Sequence, residues 1–143
     1  MTGSRRSPAI AVMKPPGDLM RFGQVVETLT QEIGPEGLSE ILGTFLVDTR
    51  TRVDALSPLL DGRDFRALAR CAHAIRGGAA IFGLQDLERA AQAVEVAAGL
   101  PESPGLPLLV DTLRAEYSAV EPSLQAKRGE ILADFRPSDP SEA

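Results

Sequence analysis

Residues 64–83 read DFRALARCAHAIRGGAAIFG, and the spacing of their apolar side chains decides the fold. Apolar residues recur three or four positions apart through this stretch, which is the period of one buried face of an α-helix. Asp64 stands where a helix N-cap is expected, and Gly83 stands where the helix is expected to end. The pattern predicts a helix whose buried stripe consists of Phe65, Leu68, Ala72, Ile75, Ala79 and Phe82.

The same period continues on both sides of this stretch. Asp18 is in position to cap an N-terminal helix, and Gly34-Pro35 is expected to separate that helix from the next. Because no segment alternates convincingly with period two, strands are not predicted. The sequence therefore predicts an all-α fold, an up-and-down antiparallel four-helix bundle with an additional N-terminal helix. The further helices are expected at about residues 18–33, 36–60, 84–98 and 106–124.

The two ends of the chain differ in composition from the striped region. Residues 1–17 (MTGSRRSPAIAVMKPPG) contain an apolar piece too short for a secretory signal and then a pair of prolines. Residues 136–143 (RPSDPSEA) are polar. We therefore expect a flexible leader at 1–17, the helical bundle at 18–135 and a disordered tail at 136–143.

Composition excludes several classes of function. The 143 residues carry a formal net charge of −5, which argues against general affinity for nucleic acid, because such binding needs a basic surface. No apolar run approaches the roughly 20 residues of a membrane-spanning helix. The one cysteine, Cys71, excludes an intramolecular disulfide. The sequence favours a soluble, cytoplasmic protein, and we expect it to be a monomer.

The chain has one histidine, His73, and it lies outside the apolar stripe. At 100° per residue its side chain points about 130° away from the centre of that stripe, toward solvent. Ala69, Gly77 and Ala80 share its helical face and leave a bare strip beside the imidazole. Another protein's backbone could approach closely over such a strip, so these small residues, with Gly78, are candidates for partner docking.

Basic residues surround the same position. Arg76 follows His73 by one helical turn, and its guanidinium suits a phosphoryl group because both can form paired hydrogen bonds. Arg66 and Arg70 are further candidates for partner docking, although exposed arginines can also simply keep a helix soluble. The pair Gly77-Gly78 costs about 2 kcal/mol if it is helical, or it ends the helix. Since the stripe continues through Phe82, we favour a helix that accepts glycine for access or packing.

An exposed imidazole is a competent nucleophile at neutral pH and can hold a phosphoryl group as a phosphoramidate. A site this open suits a carrier better than a self-sufficient enzyme. Two alternatives remain. One is a helical adaptor that binds a receiver or kinase without being phosphorylated. The other is an enzyme with a histidine base, or a metal protein, although one His and one Cys two positions apart make a poor ligand set on a helix.

The residues His73-Ala74-Ile75-Arg76-Gly77-Gly78, with Gly83 further on, resemble the motif of the histidine-containing phosphotransfer (HPt) domains of bacterial phosphorelays. In that family the histidine is followed, after two intervening residues, by Lys and then Gly. The flanking stretches FLVDTRTRVDALSPLLDGRDFRALAR and LQDLERAAQAVE are also similar to the family's helices. The resemblance to the family extends from about residue 38 to residue 98 and is weaker on either side.

This resemblance implies a four-helix bundle with His73 exposed and phosphorylated. It implies reversible exchange with an aspartate on a response-regulator receiver domain, or with a hybrid histidine kinase. The receiver would supply Mg²⁺ and most catalytic groups, so no cofactor or metal of its own is expected. Arg76 takes the place of the commoner Lys and would neutralise the phosphoryl charge, while Gly77 would allow close docking. Gly78 replaces the commoner small hydroxyl residue or Ala.

Overall fold

The computed structural model describes residues 16–134 and places them in four helical elements. No strand occurs in this part of the chain, so the all-α prediction is confirmed. Most of the predicted leader (1–17) and all of the predicted tail (136–143) lie outside the described residues. The elements are α1 (Pro16–Asp61), α2 (Phe65–Ile81), α3 (Gln85–Ala98) and α4 (Leu106–Asp134).

The first element, α1, is broken at Gly34. This residue has φ 82° and ψ 160°, outside the helical range, in a region that only glycine enters at little cost. The break was expected from Gly34-Pro35, and it divides α1 into an N-terminal arm (residues 16–33) and a bundle arm (residues 35–61). The N-terminal arm is the additional helix of the prediction, and the bundle arm is the first of four bundle helices.

Each bundle helix packs against two others. The contacting pairs are α1 with α2, α2 with α3, α3 with α4, and α4 with α1, so the four helices close into a ring in chain order. This is the arrangement of an up-and-down bundle, in which short connections join antiparallel neighbours. The stripe of α2 faces the centre as predicted. Five of its six members are buried, namely Leu68, Ala72, Ile75, Ala79 and Phe82, and Phe65 is half-buried.

The start of α2 follows the sequence prediction. The Asp64 side chain accepts a hydrogen bond from the Ala67 backbone N–H at 3.2 Å, which satisfies one of the free donors of the first turn. The helix ends at Ile81, and Gly83 takes φ +70° to turn the chain into α3. The turn between α2 and α3 is therefore short, and it fixes the register of these two helices against each other.

Asp18 does not cap its own helix, and that prediction was wrong. Because α1 begins at Pro16, Asp18 lies inside the first turn. Its carboxylate is 2% exposed and accepts a hydrogen bond from the backbone N–H of Asp86, at 3.1 Å to Oδ2. The N-cap residue of α3, Leu84, makes no side-chain capping bond. Asp18 thus supplies from the N-terminal arm the cap that α3 lacks.

Candidate functional site

His73 lies in the middle of α2 with 63% of its side chain exposed. Its imidazole is outside the buried stripe, in the orientation that the helical periodicity predicts. Arg76, one turn further on, is half-buried and lies beside it. The third member of the group is Glu95, on the neighbouring helix α3.

Glu95 bridges the histidine and the arginine with its two carboxylate oxygens. Oε2 lies 2.8 Å from His73 Nδ1, and Oε1 accepts a hydrogen bond from Arg76 Nε at 2.9 Å. Arg76 Nη2 is also 3.1 Å from His73 Nδ1. The three side chains form a closed triangle in which one anion contacts both the imidazole and the guanidinium.

The charge on Glu95 follows from this arrangement. Partial desolvation acts to raise the pKa of the Glu95 carboxyl, but the hydrogen bonds from His73 and Arg76 and their charges outweigh it. The net result is a pKa below the ordinary glutamate value, so the group is ionised at neutral pH. An ionised carboxylate only accepts hydrogen bonds, and a guanidinium only donates them.

These roles decide which imidazole nitrogen carries the proton. The short contact between Nδ1 and the Glu95 carboxylate requires a proton on Nδ1. Arg76 Nη2, being a donor, cannot then bond to Nδ1 and is a close neighbour only. In the neutral ring Nε2 therefore holds the free lone pair. The site presents a nucleophilic nitrogen to solvent and keeps the ring's proton on the protein side.

Glu95 was not predicted from the sequence, although its position relative to the turn carries a signal. His73 lies eleven residues before Leu84, in the turn, and Glu95 lies eleven residues after it. In two antiparallel helices joined by a short turn, such positions stand side by side. The signal becomes usable only when the length of the turn is known, because a shift of one residue rotates a helical side chain by 100°.

The two glycines of α2 have different surroundings. Apart from the adjacent residues and backbone of α2 itself, no atom of the described residues lies within 4 Å of the position that a Cβ would take at Gly77, which is exposed. A Cβ at Gly78 would stand 2.8 Å from Cε1 and 2.9 Å from Cδ1 of the Phe45 ring. Gly77 therefore leaves a free surface, whereas Gly78 allows α2 to approach the bundle arm of α1.

The remaining docking candidates divide by exposure. Ala80, Arg66 and Arg70 are exposed on the outer face of α2, whereas Ala69 is half-buried and packs against the core. On the other flank of α2 a shallow groove runs along the bundle arm, with exposed Ile41 and Ile81 at one end. This groove was not predicted from the sequence. It also includes Thr44, Asp48, Thr49, Arg52 and Ala74.

Two other kinds of site do not occur among the described residues, 16–134. In this range, no group of three or more His, Cys, Asp or Glu side chains is arranged to hold a metal ion. None of its helices combines the length and apolar character that a membrane span requires.

Residues 40–122, more than half of the chain, match the family model of the Hpt domain. The chain belongs to the Hpt domain family. This confirms the resemblance noted around His73, which lies inside the matched range together with Arg76 and Glu95. Hpt domains act in histidine phosphotransfer within two-component phosphorelays, and that is the functional class of this protein.

The fold agrees with a solved structure. The Hpt chain is similar to histidine-containing phosphotransfer protein B (HptB) from Pseudomonas aeruginosa PAO1, with a TM-score of 0.69 and 24% sequence identity. The similarity covers 75% of this chain and 92% of the HptB chain. At this identity the likeness concerns the fold. No curated protein matches the sequence.

Proposed function

We propose that His73 carries a phosphoryl group on Nε2 and exchanges it with an aspartate of a response-regulator receiver domain or a hybrid histidine kinase. The observation that carries this proposal is the triangle of His73, Arg76 and Glu95. It leaves Nε2 with a free lone pair and places the Arg76 guanidinium beside the same ring, with Nη2 3.1 Å from Nδ1. A macromolecular partner can reach such a nitrogen, because 63% of the side chain is exposed.

The transfer needs one bond to form and one to break. The Nε2 lone pair of His73 attacks the phosphorus of an aspartyl phosphate, the P–O bond to the aspartate breaks, and the carboxylate leaves with the bonding electrons. The ring keeps its Nδ1 proton, directed at Glu95, throughout this step. The reverse reaction returns the phosphoryl group to an aspartate. We expect the receiver to supply Mg²⁺ and the remaining catalytic groups.

Arg76 is positioned to stabilise the phosphorylated state. A phosphoryl group on Nε2 brings close to two negative charges at neutral pH. The nearby Arg76 guanidinium is held in place by the hydrogen bond that its Nε donates to Glu95. The Nη groups of Arg76 remain available for the phosphoryl oxygens within one helical turn of His73. Since a guanidinium forms paired hydrogen bonds with such oxygens, Arg76 is the residue that offsets the added charge.

The partner is expected to approach over the outer face of α2. Gly77 and Ala80 add little bulk there, so a partner's active site can come close to His73. The groove with Ile41 and Ile81 offers exposed apolar surface on one flank of this face. Exposed Arg66 and Arg70 at the start of α2 can attract the acidic residues that surround a phosphorylatable aspartate. We expect this exchange to take place in the cytoplasm, with the protein as a monomer.

A phosphotransfer assay tests the proposal. The purified chain is incubated with ³²P-labelled receiver domains or with hybrid kinases and ATP, and the label is tested for stability in acid and in alkali. We expect alkali-stable, acid-labile label on the wild-type chain and none on His73→Gln. Label that persists in His73→Gln would overturn the assignment of the site. Partner binding without any label would favour the non-phosphorylated adaptor.

A further inference from the structure

Glu95 contacts the imidazole nitrogen that does not react, and this has a consequence for the phosphorylated protein. Resting on the proposed function of His73, we infer that Glu95 holds the proton on Nδ1 after Nε2 has been phosphorylated. It thereby sets the upper end of the pH range in which phospho-His73 readily gives up its phosphoryl group. Glu95 is in this sense a positioning residue, which acts on the phosphoryl group through the ring.

The location of the proton determines the leaving group. When Nε2 uses its lone pair to bond phosphorus, the ring retains the Nδ1 proton and carries one positive charge. When the N–P bond later breaks, the bonding electrons return to Nε2. If Nδ1 still carries its proton, the leaving group is neutral imidazole. If the proton has been lost to solvent, the leaving group is the imidazolate anion, which is far more basic and leaves far more slowly.

The structure provides the means to retain this proton. The Glu95 carboxylate lies 2.8 Å from Nδ1, a distance typical of a charge-assisted hydrogen bond. Only 26% of the Glu95 side chain is exposed, so solvent screens the contact less than it would on an open surface. The same arrangement of an anion behind the distal imidazole nitrogen stabilises the protonated ring in catalytic triads.

Other charged groups near the ring do not replace Glu95. The arginines of α2 are cations and disfavour a protonated ring, so they act against retention of the proton. Asp48 belongs to the groove on the other flank of α2, along the bundle arm. Glu95 is therefore the anion in contact with Nδ1. The charged side chains in contact with the ring are Glu95 from α3 and Arg76 from α2. Arg70 lies one turn before His73 on α2, and Arg52 and Asp48 of the bundle arm line the groove on the other flank.

The test needs no partner protein. The full chain is phosphorylated at His73 with phosphoramidate, and the ³¹P chemical shift of the phosphohistidine is followed against pH, together with its rate of hydrolysis. The midpoint of the shift reports the loss of the Nδ1 proton. We expect Glu95→Gln to lower this midpoint by about one pH unit, which corresponds to a tenfold lower affinity of Nδ1 for its proton. The reason is that the glutamine amide accepts the same hydrogen bond but carries no negative charge.

Matched variants separate this role from a structural one. Glu88→Gln removes one negative charge from the same helix two turns away and should leave the midpoint unchanged. Glu95→Asp keeps the charge on a shorter side chain, and its midpoint should lie between those of the wild type and Glu95→Gln. Identical midpoints for the wild type and Glu95→Gln, in chains with the same circular dichroism spectrum, would overturn the inference. If Glu95→Gln shifts the midpoint but no receiver or kinase exchanges phosphate with the wild type, only the proposed function fails.

Discussion

Gly77 and Gly78 are neighbours in α2, yet replacing each by alanine should change stability in opposite directions. Both substitutions remove the entropic disadvantage of a helical glycine, which is worth about 1 kcal/mol. At Gly77 nothing opposes this gain, because, apart from the adjacent residues and backbone of α2 itself, no atom of the described residues lies within 4 Å of the new methyl group. Gly77→Ala should therefore stabilise the fold by up to about 1 kcal/mol.

At Gly78 the new methyl group meets the Phe45 ring at 2.8 and 2.9 Å, closer than carbon atoms can approach without movement. The ring cannot move away easily, since it is buried and packs against Phe82 at 5.1 Å and Tyr117 at 6.4 Å between centroids. Overpacking of this kind costs about 1–3 kcal/mol. Set against the helical gain, Gly78→Ala should destabilise the protein by about 1 kcal/mol.

The two variants should differ by about 2 kcal/mol, or roughly 8 °C in Tm for a chain of this size. Urea unfolding followed by circular dichroism at 222 nm measures both free energies, and equal m-values would show that the compactness of the unfolded state is unchanged. Gly77→Ala should also slow phosphotransfer while it stabilises the fold, because its methyl group projects into the docking strip. Stabilisation by both substitutions would refute the assignment of Gly78 to packing, and destabilisation by both would refute the open surroundings of Gly77.

Asp18→Ala should cost about 1 kcal/mol of unfolding free energy through loss of the cap on Asp86, measurable as a lower urea midpoint. Arg76→Ala should fold normally but transfer phosphate roughly tenfold more slowly, the equivalent of one charge-assisted hydrogen bond, and Arg76→Lys should recover part of the rate in the same assay. Glu95 has a lowered pKa in the folded protein, so its contribution to stability is present above the ordinary glutamate value of about 4.3 and is lost as the pH falls through the folded value. The wild type should therefore lose more stability than Glu95→Gln when urea unfolding is compared at pH 7 and pH 3.

The spacing of residues along the sequence correctly predicted features that belong to a single helix. It did not predict contacts between two helices. The stripe of α2, the exposure of His73 and the cap at Asp64 are properties of a single helix and follow from its period. Glu95 and the partner of Asp18 depend on the packing of elements far apart in sequence, 22 residues in one case and 68 in the other. A capping residue such as Asp18 is recognised by its type, but the type does not specify which helix receives its hydrogen bond.

The site depends on the turn between α2 and α3, although His73 lies about 12 Å from the end of α2 that leads into this turn. A change of one residue in the register of these helices would rotate Glu95 away from the imidazole. The N-terminal arm packs on this turn: the Phe22 ring lies 6.2 Å from Phe82, and Asp18 caps the start of α3. The arm therefore holds the two helices at the end where their register is set. An element that contains no residue of the site thus helps to keep Glu95 opposite His73.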